Sequence, residues 1–129
     1  MPVQLSATFE VKSWDESPFD DLEIPKLTRA VVTKSYAGDI DGSSTTEWLM
    51  AYTEDGDATF VGLERFTGEI DGRSGTLVLR HVGSYADGAA KADLTVVAGA
   101  NSGVLGSASG EGAFRADPAG SVSLVLSFD

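Results

Sequence analysis

The sequence predicts an all-β protein, most simply an eight-stranded antiparallel up-and-down barrel. The observations behind this prediction are long runs of β-branched and aromatic residues, Asp-Gly dipeptides between the runs, and no segment that combines helical periodicity with helix caps. Asp-Gly is a hairpin signal because both central residues of a type I′ turn need a positive φ. The dipeptide begins at Asp41, Asp55, Asp71 and Asp87. A long meander closes into a barrel to remove its edges, and a two-sheet sandwich is the alternative.

The predicted strands follow one another between turn signals. Residues 3–14 alternate apolar and polar side chains, and the acidic, proline-containing segment 15–25 then forms a loop that could act as a lid. Long strands follow at 27–38, 45–52, 58–68, 75–85 and 89–99, then a glycine-rich strand at 106–114 and a regular one at 121–128. Because no linker interrupts this pattern, we expect a single β-barrel domain over residues 1–129.

Composition excludes several classes of protein. The net charge is -11, with 20 Asp and Glu against 9 Lys and Arg, which argues against binding to nucleic acid or to an anionic membrane. No apolar run approaches the ~18 residues that a membrane helix needs, and no signal peptide is visible at the N-terminus. Cysteine is absent, so the chain has no disulfide and no Cys-ligated metal. We therefore expect a cytoplasmic protein.

The register of the strands follows by counting if each Asp-Gly dipeptide is a two-residue turn. This counting places Glu47 opposite both Tyr36 and Glu64. It also places His81 one step diagonally from Glu64, and Lys34 diagonal to Glu47. All five share the face whose other members in the later strands are Leu and Val, whereas the opposite face carries Arg, Lys and Asp. We therefore expect this face to be the barrel interior, with Glu64 pointing in.

A charged cluster in an apolar interior indicates chemistry or ligand recognition. Paired carboxylates beside a histidine suit general acid–base catalysis on a small, largely apolar substrate, and they also suit recognition of one polar group on such a ligand. The predicted catalytic residues are Glu64, His81 and Glu47. The predicted ligand-binding residues are Lys34, Tyr36, Phe60, Phe66, Leu79 and Leu94. An ion-pair network that only braces the barrel is the alternative, and we expect neither a metal nor a cofactor.

The outer face has an apolar region of its own. The same counting leaves Trp48, Met50, Tyr52, Val61 and Leu63 outside. A contiguous apolar patch on an outer face is typical of an interface, so we expect a homo-oligomer. The competing interpretation is that a one-residue slip turns strand 45–52 over and brings Trp48 and Tyr52 inside.

One combination of segments carries a family resemblance: KLTRAVVTKSYAGDIDGSS, EWLMAY, FVGLERFTGEIDGRSG, LRHVGSY and GSASGEGAF. Together they resemble a family of small bacterial proteins of unknown function, grouped structurally with the calycin-like, allene oxide cyclase-like barrels, over about residues 4–128. The resemblance implies an eight-stranded barrel with a central cavity, often assembled as an oligomer, and it implies no reaction.

Two functions remain open. The wider group of barrels includes cyclases and isomerases that enclose apolar substrates with few or no cofactors, which is an analogy of fold alone. One function is therefore a cofactor-independent isomerase or cyclase that uses acid–base carboxylates. The alternative is a non-catalytic barrel that binds a small ligand or serves as a structural oligomer.

Overall fold

A computed structural model describes residues 2–116 and 119–128 as strands and connecting loops. The strands are β1 (Val3–Pro18), β2 (Leu27–Gly38), β3 (Ile40–Tyr52), β4 (Ala58–Ile70), β5 (Arg73–Ala86), β6 (Ala89–Val96), β7 (Ser102–Gly103), β8 (Ser109–Ala116) and β9 (Gly120–Ser127). They pair in the order β4-β3-β2-β1-β9-β8-β6-β5, and β4 pairs with β5 to close the ring. The short β7 lies outside this ring, beside β5. The predicted eight-stranded antiparallel barrel is thus confirmed, and the described residues contain no helix able to cross a membrane.

The hairpins that join β4 to β5 and β5 to β6 have the predicted geometry. Asp71 and Gly72 have φ values of 52° and 77°, and Asp87 and Gly88 have 55° and 76°. Positive values at both central positions define the type I′ turn that joins neighbouring strands with two residues. The predicted register is confirmed here, because His81 lies opposite Gly62 on one side and Leu94 on the other.

The β3–β4 connection differs from the prediction by one residue. The N–H of Thr53 donates to the carbonyl of Asp57, and the N–H of Gly56 donates to the carbonyl of Thr53. The loop between Thr53 and Asp57 is therefore three residues long, and Gly56 supplies its positive φ of 87°. The extra residue turns β3 over relative to the prediction, so Trp48 and Met50 are buried inside the barrel.

The β2–β3 connection lies earlier than predicted. Asp41 and Gly42 belong to β3 rather than to a turn, and Tyr36 pairs with Gly42. The chain reverses at Asp39, whose N–H donates to the Ser6 carbonyl and whose side chain accepts from the Ser6 N–H at 2.9 Å. A Cβ at position 42 would lie 2.3 Å from the carbonyl oxygen of Thr67, so only glycine allows β3 to approach β4 this closely.

The last part of β1 pairs with fewer neighbouring strands than the rest of the barrel wall. The predicted loop 15–25 is wrong at its start, because β1 continues to Pro18 and the loop spans residues 19–26. The β1–β2 register shifts between Val11 and Ser13, and pairing of β1 with β9 ends at Phe9. Beyond the shift, β1 therefore pairs with β2 alone. The Trp14 side chain lies in this region and stays 47% exposed.

Apolar side chains fill the opposite end of the barrel, where β3 begins and β4 ends. Ile40 and Ile70 lie opposite each other there and are buried. Leu105, from the segment between β7 and β8, and Leu126, from β9, are also fully buried in the same hydrophobic core. The end beside Trp14 is therefore the less tightly covered one.

Candidate functional site

Six polar side chains are buried together in the middle of the barrel. They come from four neighbouring strands and share the inward face through the two-residue alternation of each strand. We call them the interior polar cluster: Lys34 and Tyr36 from β2, Ser44 and Thr46 from β3, Glu64 from β4 and His81 from β5. Buried charges need partners, so the arrangement of these groups decides what they can do.

Glu64 is the centre of the cluster. Its Oε2 accepts hydrogen bonds from the Tyr36 hydroxyl and the Ser44 hydroxyl, each at 2.5 Å. Its Oε1 lies 2.8 Å from His81 Nε2 and 3.7 Å from Lys34 Nζ. Burial by itself raises the pKa of Glu64, but the Lys34 charge and the hydrogen bonds from His81 and Ser44 outweigh it and lower the pKa to about 2. Glu64 is therefore an ionised, fully engaged carboxylate.

The hydrogen bonds of His81 fix its tautomer. Trp48 Nε1–H can only donate, and it lies 3.2 Å from His81 Nδ1, so Nδ1 accepts. The other ring nitrogen, Nε2, keeps its proton and donates a hydrogen bond to Glu64 Oε1. Burial lowers the pKa of His81, and the neighbouring carboxylate only partly opposes that shift. His81 is therefore neutral, with both ring nitrogens occupied.

Lys34 and Thr46 are the cluster members with unused hydrogen-bonding capacity. Among the described residues its Nζ has no hydrogen-bond partner, and the same holds for Thr46 Oγ1. The Nζ lies 4.8 Å from the centroids of the Phe9 and Phe114 rings and 5.2 Å from that of Trp48. These rings attract a cation through their faces but accept no strong hydrogen bond. Burial lowers the pKa of Lys34, and Glu64 opposes that shift.

The structure brings most of the predicted site residues together. Lys34, Tyr36, Glu64 and His81 meet in the interior cluster, as expected. The predicted apolar residues Phe60, Phe66, Leu79 and Leu94 are buried in the same interior. The catalytic and binding roles of all these residues stay predictions.

The predicted inward position of Glu47 is wrong. Because β3 is turned over, Glu47 lies opposite Leu63 instead of Glu64, and opposite Val31 instead of Tyr36. Its carboxylate is on the outer surface, 2.8 Å from the Arg29 guanidinium. Among the described residues Glu64 is therefore the one buried carboxylate, and the predicted carboxylate pair does not form.

Several interior residues escaped the sequence interpretation. Ser44, Thr46 and Trp48 are every second residue of β3 and therefore point to the same side. The competing interpretation, with Trp48 inside, would have placed all three in the interior. Phe114 lies in a glycine-rich segment, where nothing in the sequence indicates that its ring reaches Lys34 and packs 5.5 Å from His81. The aromatic surroundings of Lys34 thus depend on tertiary packing.

A second polar group lies at the thinly covered end of the barrel. Glu16 accepts hydrogen bonds from the Tyr52 hydroxyl at 2.5 Å, the Thr28 hydroxyl at 2.6 Å and Trp14 Nε1–H at 3.0 Å. Burial and the Glu16 carboxylate raise the pKa of Tyr52 to about 12. The Trp14 ring also packs against Trp48, with centroids 5.5 Å apart. Trp14 and Trp48 thus connect this end to the interior cluster.

The interior polar cluster is closed off from solvent. A groove of about 850 Å³ lies on the outer surface of β3 and β4. In residues 2–116 and 119–128 no group of three or more His, Asp or Glu side chains is placed to hold a metal ion.

The comparisons with known proteins agree with the fold. The chain is similar to a solved structure described as a protein of unknown function from the DUF3224 family of Shewanella oneidensis MR-1, determined at 1.84 Å resolution. The two are 24% identical, with a TM-score of 0.85 over 100% of this chain and 99% of the other. No curated protein matches the chain. The predicted resemblance is confirmed, since the family profile described as Protein of unknown function (DUF3224) matches residues 5–128 and the chain belongs to that family.

Proposed function

We propose that the barrel binds a small, largely apolar molecule through one polar oxygen, a carbonyl or a carboxylate, that Lys34 recognises. The observation that supports this proposal is the buried Lys34 ammonium group, which has no hydrogen-bond partner among the described residues. A buried donor without a partner costs free energy, and an ammonium group carries three donors. A ligand oxygen would accept from Lys34, while the rings of Phe9, Trp48 and Phe114 would contact its apolar part.

The route into the barrel passes Trp14 and Trp48. Beyond the register shift β1 has a single neighbouring strand, so the wall beside Trp14 is held by fewer hydrogen bonds than the rest. Trp14 is partly exposed and covers Trp48, which in turn covers Lys34. A ligand that enters from this end would meet Trp14 first and Trp48 next, before the Lys34 ammonium group.

The second candidate function is a cofactor-independent isomerase or cyclase, which the lowered pKa of Lys34 favours. Glu64 is a weak base because its pKa is about 2, and the hydrogen bonds of His81 leave no free ring nitrogen. Lys34 is therefore the group that would exchange a proton with the substrate, and Glu64 and His81 would hold it in place. Deuterium from heavy water would then enter the carbon next to a bound ketone.

Tryptophan fluorescence tests binding directly, because the chain has 2 tryptophans. In Trp14→Phe the buried Trp48 is the single emitter. We expect its emission to change on titration with some member of a panel of small aromatic and branched aliphatic carboxylates and ketones. Lys34→Met in the same background should weaken binding at least about tenfold, or 1.4 kcal/mol, and the exposed control Lys91→Met on β6 should not.

Thr46→Val provides a second test that keeps the ion pair intact. Within residues 2–116 and 119–128 its hydroxyl is the other buried donor without a partner, so its loss should weaken binding of the same compound. The proposal fails if no compound changes the Trp48 emission, or if Lys34→Met and Thr46→Val, both folded by circular dichroism, bind as tightly as the parent.

A further inference from the structure

The outer surface of β3, β4 and β5 carries a row of exposed apolar side chains. Leu49, Val61 and Val82 lie directly opposite one another across the three strands. Leu63 follows two residues after Val61 on the same face of β4. Between 46% and 55% of each of these four side chains is exposed, although apolar residues are usually buried. We call the surface formed by these four residues the apolar face.

The charges beside the apolar face are placed with opposite signs on its two sides. In the row of Val61, Arg29 lies opposite Leu49 on one side, and Asp93 lies opposite Val82 on the other. In the row of Leu63, Glu47 is the neighbour on β3 and Arg80 is the neighbour on β5. In each row, therefore, the positive group and the negative group lie on opposite sides of β4 and the same number of strands away from it.

We propose that the apolar face is the contact between two copies of this chain, related by a two-fold axis that runs along β4. Such an axis exchanges the two sides of each row. It brings Glu47 against the partner's Arg80, while Leu63 packs on its own counterpart. The contact is isologous, so this charge pair forms twice.

The charge pattern favours a second copy over another occupant. Two chains of net charge -11 repel each other, so they can associate only where local charges balance. Beside the apolar face Arg29 and Arg80 balance Glu47 and Asp93, and Arg65 is left over. Within the described residues Arg80 makes no ion pair, which leaves it available to the partner's Glu47. The predicted homo-oligomer thus keeps Val61 and Leu63 in its interface and loses Trp48 and Met50.

Arg65 limits the affinity of this dimer. It lies on β4, two residues beyond Leu63 and on the same exposed face. Close to the axis it meets its own counterpart, and like charges repel. Arg65→Gln should therefore tighten the dimer, an outcome that a contact elsewhere on the barrel would not produce.

Sedimentation equilibrium of the full chain tests the proposal. We expect a monomer–dimer equilibrium whose dissociation constant rises at least about tenfold in Val61→Glu, because a carboxylate then lies in the centre of the contact. The matched control is Val125→Glu, which changes a valine of similar exposure (45%) on β9, across the barrel from β4. Arg80→Glu should weaken the dimer, and adding Glu47→Lys should restore it, since the exchanged charges again face each other.

Cross-linking tests the position of the axis, because the chain has no native cysteine. Leu63→Cys lies at the axis and should form a covalent dimer with a short bismaleimide, whereas Val125→Cys should not. The proposal is overturned by a wild-type monomer at all concentrations, by equal weakening in Val61→Glu and Val125→Glu, or by failure of Glu47→Lys to restore Arg80→Glu.

Discussion

The interior polar cluster and the apolar face share strands β3, β4 and β5, yet they reverse the usual distribution of side chains. Leu63 is 54% exposed while its neighbour Glu64 is 1% exposed, because successive side chains of a strand point to opposite sides. Burying the ion pair carries a large desolvation cost, whereas exposing a few apolar side chains costs little. The comparison indicates that the stability of the barrel depends strongly on the charges inside it. Changes on the outer surface should affect mainly the binding of a partner there.

The largest expected effect comes from a change in the interior polar cluster. Glu64→Leu leaves Lys34 buried without a counter-charge, so we expect the free energy of unfolding to fall by about 3–5 kcal/mol. Urea denaturation measures the loss. The double variant Lys34→Met/Glu64→Leu removes the stranded charge and should recover about 1 kcal/mol or more. If the double variant is as unstable as the single one, the hydrogen bonds from Tyr36, Ser44 and His81 stabilise the cluster and the ion pair does not.

The pH dependence of stability also tests the interior polar cluster. The pKa of Glu64 is about 2 in the folded chain against an ordinary value of 4.5. Its contribution is therefore complete above the ordinary value and is lost as the pH falls through the folded value, a change on the order of 3 kcal/mol. The lowered pKa of His81 acts in the same direction and begins as the pH drops below its ordinary value of 6.5.

Comparison with Glu64→Gln isolates the carboxylate. The difference in unfolding free energy between the wild type and this variant should shrink as the pH is lowered from about 5 to about 2. A difference that stays constant over this window would show that the pKa of Glu64 does not change on folding.

The smallest expected effect belongs to the outer surface. Glu47→Leu removes an exposed carboxylate that is paired with Arg29, and such pairs contribute at most about 1 kcal/mol. We expect the stability of the folded monomer to change by less than that, in contrast to Glu64→Leu. Urea denaturation of both variants side by side makes the comparison, and a loss at Glu47 as large as the loss at Glu64 would contradict it.

The sequence predicts the strands well because turn chemistry and alternation are local signals. It predicts β4, β5 and β6 with their register, since Asp71-Gly72 and Asp87-Gly88 form the two-residue turns that their residue types favour. The same dipeptide fails at Asp55-Gly56, where a three-residue loop forms, and at Asp41-Gly42, where no turn forms. Local residue type does not distinguish these outcomes, because contacts with Ser6 and Thr67 decide where β3 begins.

The two register errors have opposite consequences for the site. Counted back from β4, the error in the β3–β4 loop exchanges the inner and outer faces of β3. The error in the β2–β3 connection exchanges them a second time, so the predicted inner face of β2 is correct. Glu47 therefore moves outside, and Lys34 and Tyr36 stay inside as predicted. The aromatic surroundings of Lys34 remained beyond prediction, because Phe9 and Phe114 come from distant parts of the chain.

The order of the strands has a consequence for folding. The cluster comes from β2, β3, β4 and β5, which are consecutive in sequence, whereas closing the barrel requires β1 to pair with β9. Contacts between distant segments form slowly, so we expect β2 to β5 to pair before β1 meets β9. The inner side of such an open sheet would present Lys34, Glu64 and His81 to water, where charged groups are well hydrated. We therefore expect replacement of these three residues by apolar ones to increase aggregation during refolding, when the edges of the sheet are still unpaired.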